Sequence, residues 1–337
     1  MGNKQSTGTP PLQISSKSSV IPVNHKLYSE ILSNNIPNAP PNTPSNTPST
    51  LPTIFGYTNT QSSYRVLSYN VEWGFLKLPS DIHSDSCGHP IPQTDEAQQN
   101  HLTLISKNIG LLKPDICFLQ EMGSLDAVEF IANTLYLMFN IRYKSYYSNQ
   151  SDPGNQGVGL LIIDSIIDKC EVNTIPNFKL NRGLGIKFKT ETNSYKLVGV
   201  HLKSLYDKKI QKDEAEQEEQ IKAVLDWVQD EDNVIICGDF NNVPTSDPIK
   251  LIKDNNYISA INSDKYIPNI IGNTYTEFHG SNGRESGSTI DYIFTSPSID
   301  LVSSHIVDIQ REAVNQDPTL RGETSDHIPV LAIVNLN

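Results

Sequence analysis

Short apolar runs bounded by polar residues recur along most of the chain, and they predict its strands. Each run is four to eight residues long and rich in Val, Ile, Leu or aromatic residues. Such lengths and compositions are typical of strands that are buried on one or both faces. We predict strands at residues 64–69, 115–120, 157–163, 184–189, 195–200, 234–237, 288–295, 301–308 and 328–334.

Between these runs lie segments whose apolar residues repeat at helical spacing. Residues 96–112 carry Leu102, Ile105, Ile109 and Leu112 on one helical face. A second helix is expected to follow an N-cap at Ser124 and to continue to residue 139. Residues 207–230 and 246–254 are expected to form two more helices. The first of these is highly charged, and we interpret its charged face as exposed to solvent rather than as a binding surface.

Residues 1–60 have a different composition from the rest of the chain. Pro, Asn, Ser and Thr dominate them, and the stretch NTPSNTPST is a short tandem repeat. A segment with so few apolar residues cannot bury enough surface to offset the entropy lost on ordering. We therefore predict a disordered tail over residues 1–60 and a globular catalytic domain over residues 63–337.

The first residues of the tail match a lipidation motif. Met1-Gly2-Asn3-Lys4-Gln5-Ser6 fits the pattern for N-myristoylation at Gly2, although a pattern this short also arises by chance. One myristoyl chain binds membranes with an affinity of only about 10⁴ M⁻¹. Any membrane association through Gly2 is therefore expected to be weak and reversible.

Charge and cysteine usage narrow the functional classes. The net charge is −12 and the pI about 5.1, which argues against a broad basic surface for nucleic acid. The chain has four cysteines and no CxxC pair, which indicates a reducing compartment. No apolar run approaches the roughly 20 residues of a membrane span. We expect an intracellular, cytoplasmic monomer.

Polar residues recur where the predicted strands end. Strand ends in a layered sheet structure converge on one rim, so these side chains are expected to share a cleft. Carboxylate oxygens suit Mg²⁺ or Mn²⁺ better than zinc, and an adjacent Asp–His pair offers a ligand and a proton-transfer group. Taken singly, each residue is also an ordinary loop residue. The set comprises Asn70, Glu121, His201, Asp239, Asn241, Asp291, Asp326 and His327.

The stretch Asn233–Pro244, NVIICGDFNNVP, concentrates this chemistry. Its apolar run ends abruptly at Gly238, where a side chain is expected to clash with the turning backbone. Asp239 and Asn241 follow one residue apart, so both side chains are expected on the same side of the strand end.

The loop at 74–95 contains His83, Asp85, Cys87 and His89 in no standard zinc spacing, and we interpret it as solvated.

Six motifs together resemble the endonuclease/exonuclease/phosphatase superfamily, which includes deoxyribonuclease I. They are SYNVEW, FLQEM, VHLKS, CGDFNNVP, TIDYIF and SDHIPV, and they occur in the family's order between residues 64 and 334. The resemblance implies an α/β fold, a four-layer α/β/β/α sandwich with two packed mixed β-sheets. It also implies Mg²⁺-dependent hydrolysis of phosphoesters.

The resemblance further implies roles for the motif residues. Glu121 is the principal metal ligand, with Asn70 and Asp326 beside it. Asp291 orients and polarises His327, while His201, Asp239 and Asn241 surround the phosphate. Either Asp239 or His327 is the general base, and Lys203 is a further candidate for contacting the phosphate.

Substrate choice within the superfamily stays open. The Cys-Asp-Arg motif of the 5-phosphatases is replaced here by Ile290-Asp291-Tyr292, which disfavours that branch. A nucleic-acid phosphodiesterase is the leading interpretation, endonuclease or exonuclease. The alternatives are a lipid or small-molecule phosphoesterase at a membrane and, last, a catalytically inactive interaction module, which is disfavoured because every motif residue is present.

Overall fold

The computed structural model describes residues 63–76, 94–148, 156–205, 210–268, 274–278, 287–307 and 325–336. The predicted tail at residues 1–60, the lipidation motif at Gly2 and the loop positions His83, Asp85, Cys87 and His89 lie outside these ranges. Those expectations therefore stay predictions.

The described ranges contain four α-helices: α1 (Asp95–Leu112), α2 (Leu125–Phe139), α3 (Ile210–Val228) and α4 (Asp247–Asp254). Side chains cap the first two, since Thr94 and Ser124 each accept a hydrogen bond from the backbone N–H three residues later. The predicted cap at Ser124 is thus confirmed. Within the described ranges, no helix is both long and apolar enough to cross a membrane.

Fifteen strands are described, and most follow the predicted apolar runs. They are β1 (Ser63–Gly74), β2 (Ile116–Met122), β3 (Tyr143–Tyr147), β4 (Gly157–Ile163), β5 (Cys170–Thr174), β6 (Gly183–Lys189), β7 (Ser194–His201), β8 (Val234–Asp239), β9 (Ile258–Ser259), β10 (Tyr266–Ile267), β11 (Glu277–Phe278), β12 (Gly287–Ser288), β13 (Asp291–Thr295), β14 (Asp300–Ile306) and β15 (Val330–Asn335).

These strands form two mixed sheets and a two-stranded ribbon. The seven-stranded sheet has the order β10-β14-β15-β1-β2-β4-β3, and the six-stranded sheet has the order β5-β6-β7-β8-β13-β9. The ribbon pairs β11 with β12. Parallel pairing joins β1 to β2 and β7 to β8, so each sheet has a parallel pair at its centre.

The two sheets pack face to face, and helices cover their outer faces. The ring of Phe118 on β2 lies so close to Gly199 on β7 that a Cβ there would meet it at 2.0 Å. On one outer face Val128 of α2 contacts Gly159 of β4. On the other, α3 and α4 pack on β7 and β8 through residues that include Ile221. The predicted four-layer α/β/β/α sandwich is confirmed.

The structure departs from the predicted elements in several places. Residues 288–295 do not form one strand, because Thr276 Oγ1 accepts hydrogen bonds from the N–H groups of Ile290 and Asp291 and separates β12 from β13. Strands β3 and β5 were not predicted, since each is short and only partly buried. The predicted loop before residue 273 contains β9 and β10.

Two parallel strand pairs carry the polar strand ends to the same rim. Asn70 pairs with Gln120 at the end of β1 and β2, and His201 pairs with Asp239 at the end of β7 and β8. Gly238 makes the second pairing compatible with close packing, because a Cβ at its φ of +147° would lie 2.0 Å from the carbonyl oxygen of Val200. The clash predicted at this glycine is confirmed.

Burial of His305 should make the fold sensitive to acid. This β14 residue is 3% exposed, and burial lowers its pKa from 6.5 to about 4. Between those values the unfolded chain binds the extra proton, so stability falls as pH falls, by at most about 1.4 kcal/mol per pH unit. We expect His305→Gln to show a smaller loss of melting temperature between pH 7 and pH 5 than the wild type. Equal losses would contradict this assignment.

Candidate active site

Asp239 lies at the centre of the rim because of strand register. It pairs with His201 on the parallel neighbour β7 and with Asp291 on the antiparallel neighbour β13. All three side chains are almost completely buried, with 1–2% of each residue exposed. Sheet pairing alone therefore brings together three of the predicted site residues.

The carboxylate of Asp239 is held by amide donors. Its Oδ2 accepts hydrogen bonds from Asn70 Nδ2 at 2.9 Å and from Asn241 Nδ2 at 3.2 Å, and its Oδ1 accepts one from the Asn241 N–H at 2.7 Å. Burial and the nearby charge of Asp291 raise the pKa of Asp239 well above its ordinary value. The carboxylate is therefore fixed in orientation and unusually basic.

His327 is bonded to Asp291 from across the sheet interface. Its Nδ1 lies 2.8 Å from Asp291 Oδ2, while Nε2 faces Asp239 Oδ2 at 4.0 Å. Burial acts to lower the pKa of His327, but the charges of Asp291, Asp326 and Asp239 prevail and raise it well above 6.5. Ser325 fixes the loop, since its hydroxyl donates to the Asn70 carbonyl and accepts from the His327 N–H.

Glu121 projects into the rim from a distorted strand end. Its φ is 61°, and the register of β2 with its neighbours shifts at this point, as at a β-bulge. Three donors hold its carboxylate: Asn70 Nδ2 at 3.2 Å, the Trp73 N–H at 3.2 Å and Gln156 Nε2 at 3.0 Å. Burial and the charge of Asp326 raise the pKa of Glu121.

Glu72 is an acidic residue of this rim that the sequence analysis missed. Its Oε2 accepts a hydrogen bond from the Asp326 N–H at 3.0 Å. Burial, with the charges of Asp326 and Glu121, raises the pKa of Glu72 to about 8. A signal was present in the sequence, because Glu72 follows Asn70 at the same one-residue interval as Asn241 follows Asp239.

Glu72, Glu121 and Asp326 form a carboxylate cluster that suits a divalent cation. Burial, and then the charge of Asp326, raises the pKa of both Glu72 and Glu121, and a cation bound among the three carboxylates would relieve the repulsion between their charges. The donor set consists of oxygens, which fits Mg²⁺ or Mn²⁺.

Tighter groups of ligand atoms, all within 4.8 Å, are Asp239–Asp291–His327 and Glu277–Asp326–His327. Both contain His327, whose Nδ1 is already bonded to Asp291 Oδ2 at 2.8 Å, and Mg²⁺ and Mn²⁺ favour oxygen ligands over an imidazole nitrogen. We therefore consider the carboxylate cluster the better candidate metal centre.

Asn70 bridges the two halves of the rim. Its Nδ2 donates to Glu121 and Asp239, and its Oδ1 accepts from the Glu72 N–H at 3.0 Å. In this arrangement the amide oxygen faces the backbone rather than the carboxylate cluster. The contacts of Asn70 are thus those of a residue that orients two carboxylates, and its role as a metal ligand stays a prediction.

The remaining predicted residues lie on the six-stranded sheet side. His201 Nε2 is 3.7 Å from Asp239 Oδ2, and burial lowers the pKa of His201 well below 6.5, so its imidazole is neutral. Asn241 adopts a left-handed conformation with φ 50° and donates to the Leu202 carbonyl. Lys203 follows two residues after His201 and is half-buried.

Arg182 is a second rim residue that the sequence analysis missed. Burial lowers its pKa, whereas the charges of Glu121 and Asp239 act in the opposite direction, so the guanidinium lies within electrostatic reach of both carboxylates. Among the described residues its buried Nε has no hydrogen-bond partner, and its carbonyl accepts a hydrogen bond from the His201 N–H. An arginine before a glycine-rich strand carries no distinctive sequence signal.

A buried, amide-held carboxylate beside a histidine–aspartate pair and a carboxylate cluster defines a metal-dependent phosphoesterase. The sequence profile of the Endonuclease/Exonuclease/phosphatase family matches residues 67–327, a span that contains every described site residue. The chain belongs to this family. A comparison with curated proteins finds no match.

Several solved structures share this fold. An endonuclease/exonuclease/phosphatase from Bacteroides vulgatus is 17% identical with a TM-score of 0.57, covering 82% of this chain and 100% of that one. D. rerio TDP2, complexed with a single-strand DNA product, is 16% identical with a TM-score of 0.54, covering 82% and 100%. The human Nocturnin catalytic domain with a bound sulfate anion is 17% identical with a TM-score of 0.54, covering 82% and 94%.

The contact between Asp291 and His327 generates a prediction about hydrolytic rate. We expect Asp291→Asn to lower kcat by about 10²–10⁴-fold, because the amide can neither hold the imidazole tautomer nor stabilise its charge. His327→Ala should cost at least as much. Because the two groups act as a unit, the double variant should cost little beyond His327→Ala alone.

Rates at saturating Mg²⁺ for all three variants test this pairing. The exposed residue Asp226 on α3 supplies the matched control, and Asp226→Asn should leave the rate unchanged. If the losses of kcat in the two single variants multiply in the double variant, the two residues act independently and the proposed pairing is wrong.

Proposed function

We propose that this protein is a Mg²⁺- or Mn²⁺-dependent phosphodiesterase that hydrolyses nucleic acid. The observation that carries this proposal is the position of Asp239. Its buried carboxylate lies between His201 and Asp291 in register, with His327 facing it and the carboxylate cluster of Glu72, Glu121 and Asp326 beside it.

The carboxylate cluster would hold the cation, with Asn70 adjacent. A divalent cation bound there would supply positive charge to the phosphoryl and leaving oxygens, where negative charge develops during hydrolysis. The chain's own contribution is to orient Glu121 through three donors and to anchor Glu72 on the Asp326 backbone.

Asp239 is suited to act as the general base. Its raised pKa makes the ionised carboxylate a stronger base than an exposed aspartate, and its amide donors fix its direction. In the proposed step a water oxygen bonds to phosphorus and its proton passes to Asp239. The phosphorus–oxygen ester bond breaks with its electron pair on the leaving oxygen, which takes up a proton from solvent.

His327 is suited to donate a hydrogen bond during the same step. Asp291 holds its Nδ1 proton and favours the protonated ring, which leaves Nε2–H directed at the rim. His201, Lys203 and the Arg182 guanidinium line the other side, and we assign them to the phosphoryl oxygens. Asn241 supports this side indirectly, because its amide hydrogens are used on Leu202 and Asp239. Arg182 then finds in the substrate the partner that its Nε lacks.

Similarity to TDP2, whose structure holds a single-strand DNA product, favours a nucleic-acid substrate. The net charge of −12 argues against a long basic track, so we expect contact with only a few phosphates. The same charge is compatible with a lipid or small-molecule phosphodiester, which stays the second candidate.

A substrate panel distinguishes these classes. Single-stranded DNA, RNA, sphingomyelin vesicles and phosphoinositide vesicles would each be incubated with the purified full chain and Mg²⁺. We expect the highest kcat/KM on a single-stranded nucleic acid, with a shallow salt dependence because few phosphates are contacted. Hydrolysis of the lipids alone would overturn the nucleic-acid assignment.

The metal requirement is a separate prediction. Activity should require Mg²⁺ or Mn²⁺ and stop in excess chelator. Glu121→Gln should raise the Mg²⁺ concentration needed for half-maximal rate by about 10-fold or more, because one charged ligand is lost while the donors around it remain.

Metal titrations of the rate check the requirement, with Glu191→Gln as the matched control at an exposed position. The control should titrate like the wild type. Activity that survives excess chelator would show that the carboxylate cluster has no catalytic metal role.

A further inference from the structure

Helix α3 carries none of the predicted site residues. Two of its glutamines are nevertheless buried and contact the loops that carry the candidate phosphate-side residues. Gln217 and Gln220 are 0% exposed although both are amides. They are three residues apart and therefore project from one face of the helix. Buried polar groups are normally hydrogen-bonded, and the partners of these two glutamines explain why they are buried.

Gln217 joins the two loops that follow β7 and β8. Its Nε2 donates to the Lys203 carbonyl at 2.6 Å and to the Phe240 carbonyl at 3.3 Å, and its Oε1 accepts from Asn242 Nδ2 at 2.8 Å. Both hydrogens of the amide are used on backbone carbonyls, which fixes the orientation of the group. One side chain thus sets the distance between the loop of Lys203 and the loop of Asn241.

Gln220 holds Lys203 from its other side. Its Oε1 accepts from the Lys203 N–H at 3.0 Å, and its Nε2 donates to the Lys179 carbonyl at 3.2 Å. The backbone N–H and carbonyl of Lys203 are therefore both bonded to helix α3. The segment that leads to Arg182 is tied to the same helix through Lys179.

These contacts extend to the residues at the centre of the rim. Asn241 Nδ2 donates to the Leu202 carbonyl at 3.1 Å, and the Leu202 N–H donates to the Asp239 carbonyl at 2.9 Å. A shift of either loop would therefore move His201, Asp239 and Asn241 together. By comparison, Glu72, Glu121 and Asp326 are held by bonds among the loops of the other sheet.

We propose that Gln217 and Gln220 are positioning residues for phosphodiester hydrolysis, setting Lys203 and Asn241 relative to Asp239. The inference rests on the proposed function and deepens it, because it divides the site into a half held by α3 and a carboxylate half held by loops of the other sheet, with Asn70 bonded to both. Neither glutamine touches the reacting atoms. A misplacement on the order of 1 Å in such a half costs about 10²-fold in rate.

Gln217→Met tests the proposal, because methionine keeps the volume and removes every hydrogen bond. We expect kcat to fall by about 10–100-fold at a temperature well below the melting temperature of the variant. The Mg²⁺ concentration for half-maximal rate should change much less than kcat, because the bonds that hold Glu72 and Glu121 do not involve Gln217. Gln229→Met, at an exposed position just after α3, should leave both quantities unchanged.

A double variant separates positioning from a general loss of stability. If Gln217 acts through Asn241, then Gln217→Met combined with Asn241→Ala should be little slower than Asn241→Ala alone. Losses that multiply would overturn the proposal, and so would an unchanged kcat in Gln217→Met. Should Gln217→Met fail to fold, Gln220→Met, which removes only the bonds to Lys203 and Lys179, is measured in the same way.

Amide hydrogen exchange gives a readout that needs no substrate. In Gln217→Met, exchange should accelerate in peptides covering residues 201–205 and 239–243 and stay unchanged in those covering 63–76 and 116–122. Uniform acceleration, or none, would overturn the positioning role. If the wild type hydrolyses none of the phosphodiesters, the proposed function fails while the exchange result still decides the role of Gln217.

Discussion

The rim depends on keeping the buried carboxylate of Asp239 in place. Taking a carboxylate out of water is costly unless donors replace the lost hydration, and Asp239 obtains its donors from Asn70 on one sheet and Asn241 on its own loop. Because Asn70 also donates to Glu121, one amide orients the candidate base and the carboxylate cluster together. The packing of the two sheets is therefore a condition for the geometry of the site.

Backbone strain is concentrated at the same rim. Glu72, Trp73, Glu121 and Asn241 all have φ between 45° and 61°, a region that residues other than glycine seldom adopt. Each such conformation costs on the order of 1 kcal/mol or more and persists only where surrounding contacts determine it. Here the contacts are the hydrogen bonds to the site carboxylates, so the loop conformations and the site hold each other in place.

Much of the fold could be predicted because its strands and helices carry strong local patterns. The long helices and buried strands follow from apolar spacing, and the polar strand ends of Asn70, Glu121, His201 and Asp239 follow from where those runs stop. Strands β3 and β5 were not predicted because they are short and half-buried. Strands β9 and β10 were not predicted because two-residue pairings depend on tertiary contacts.

The site residues that were missed share a physical reason. Glu72 and Arg182 become significant only through the charges that surround them after folding. Gln217 becomes significant only through its bonds to the two loops that follow β7 and β8. From the sequence alone, a buried glutamine on a charged helix cannot be distinguished from a solvent-exposed one. Local pattern predicts where strands end, but it does not predict which side chain of another layer will reach those ends.

The acidic rim also constrains how an anionic substrate can bind. Under the proposed function, a phosphodiester would approach four carboxylates, with Arg182 and the His327 ring as nearby positive charges. A divalent cation among Glu72, Glu121 and Asp326 would reduce the repulsion, so its binding and that of the substrate would be coupled. Such coupling is reciprocal, and the substrate would therefore raise the affinity for the metal by the same factor. Burial, with the charges of Asp326 and Glu121, raises the pKa of Glu72 to about 8, so added positive charge is favoured at this carboxylate.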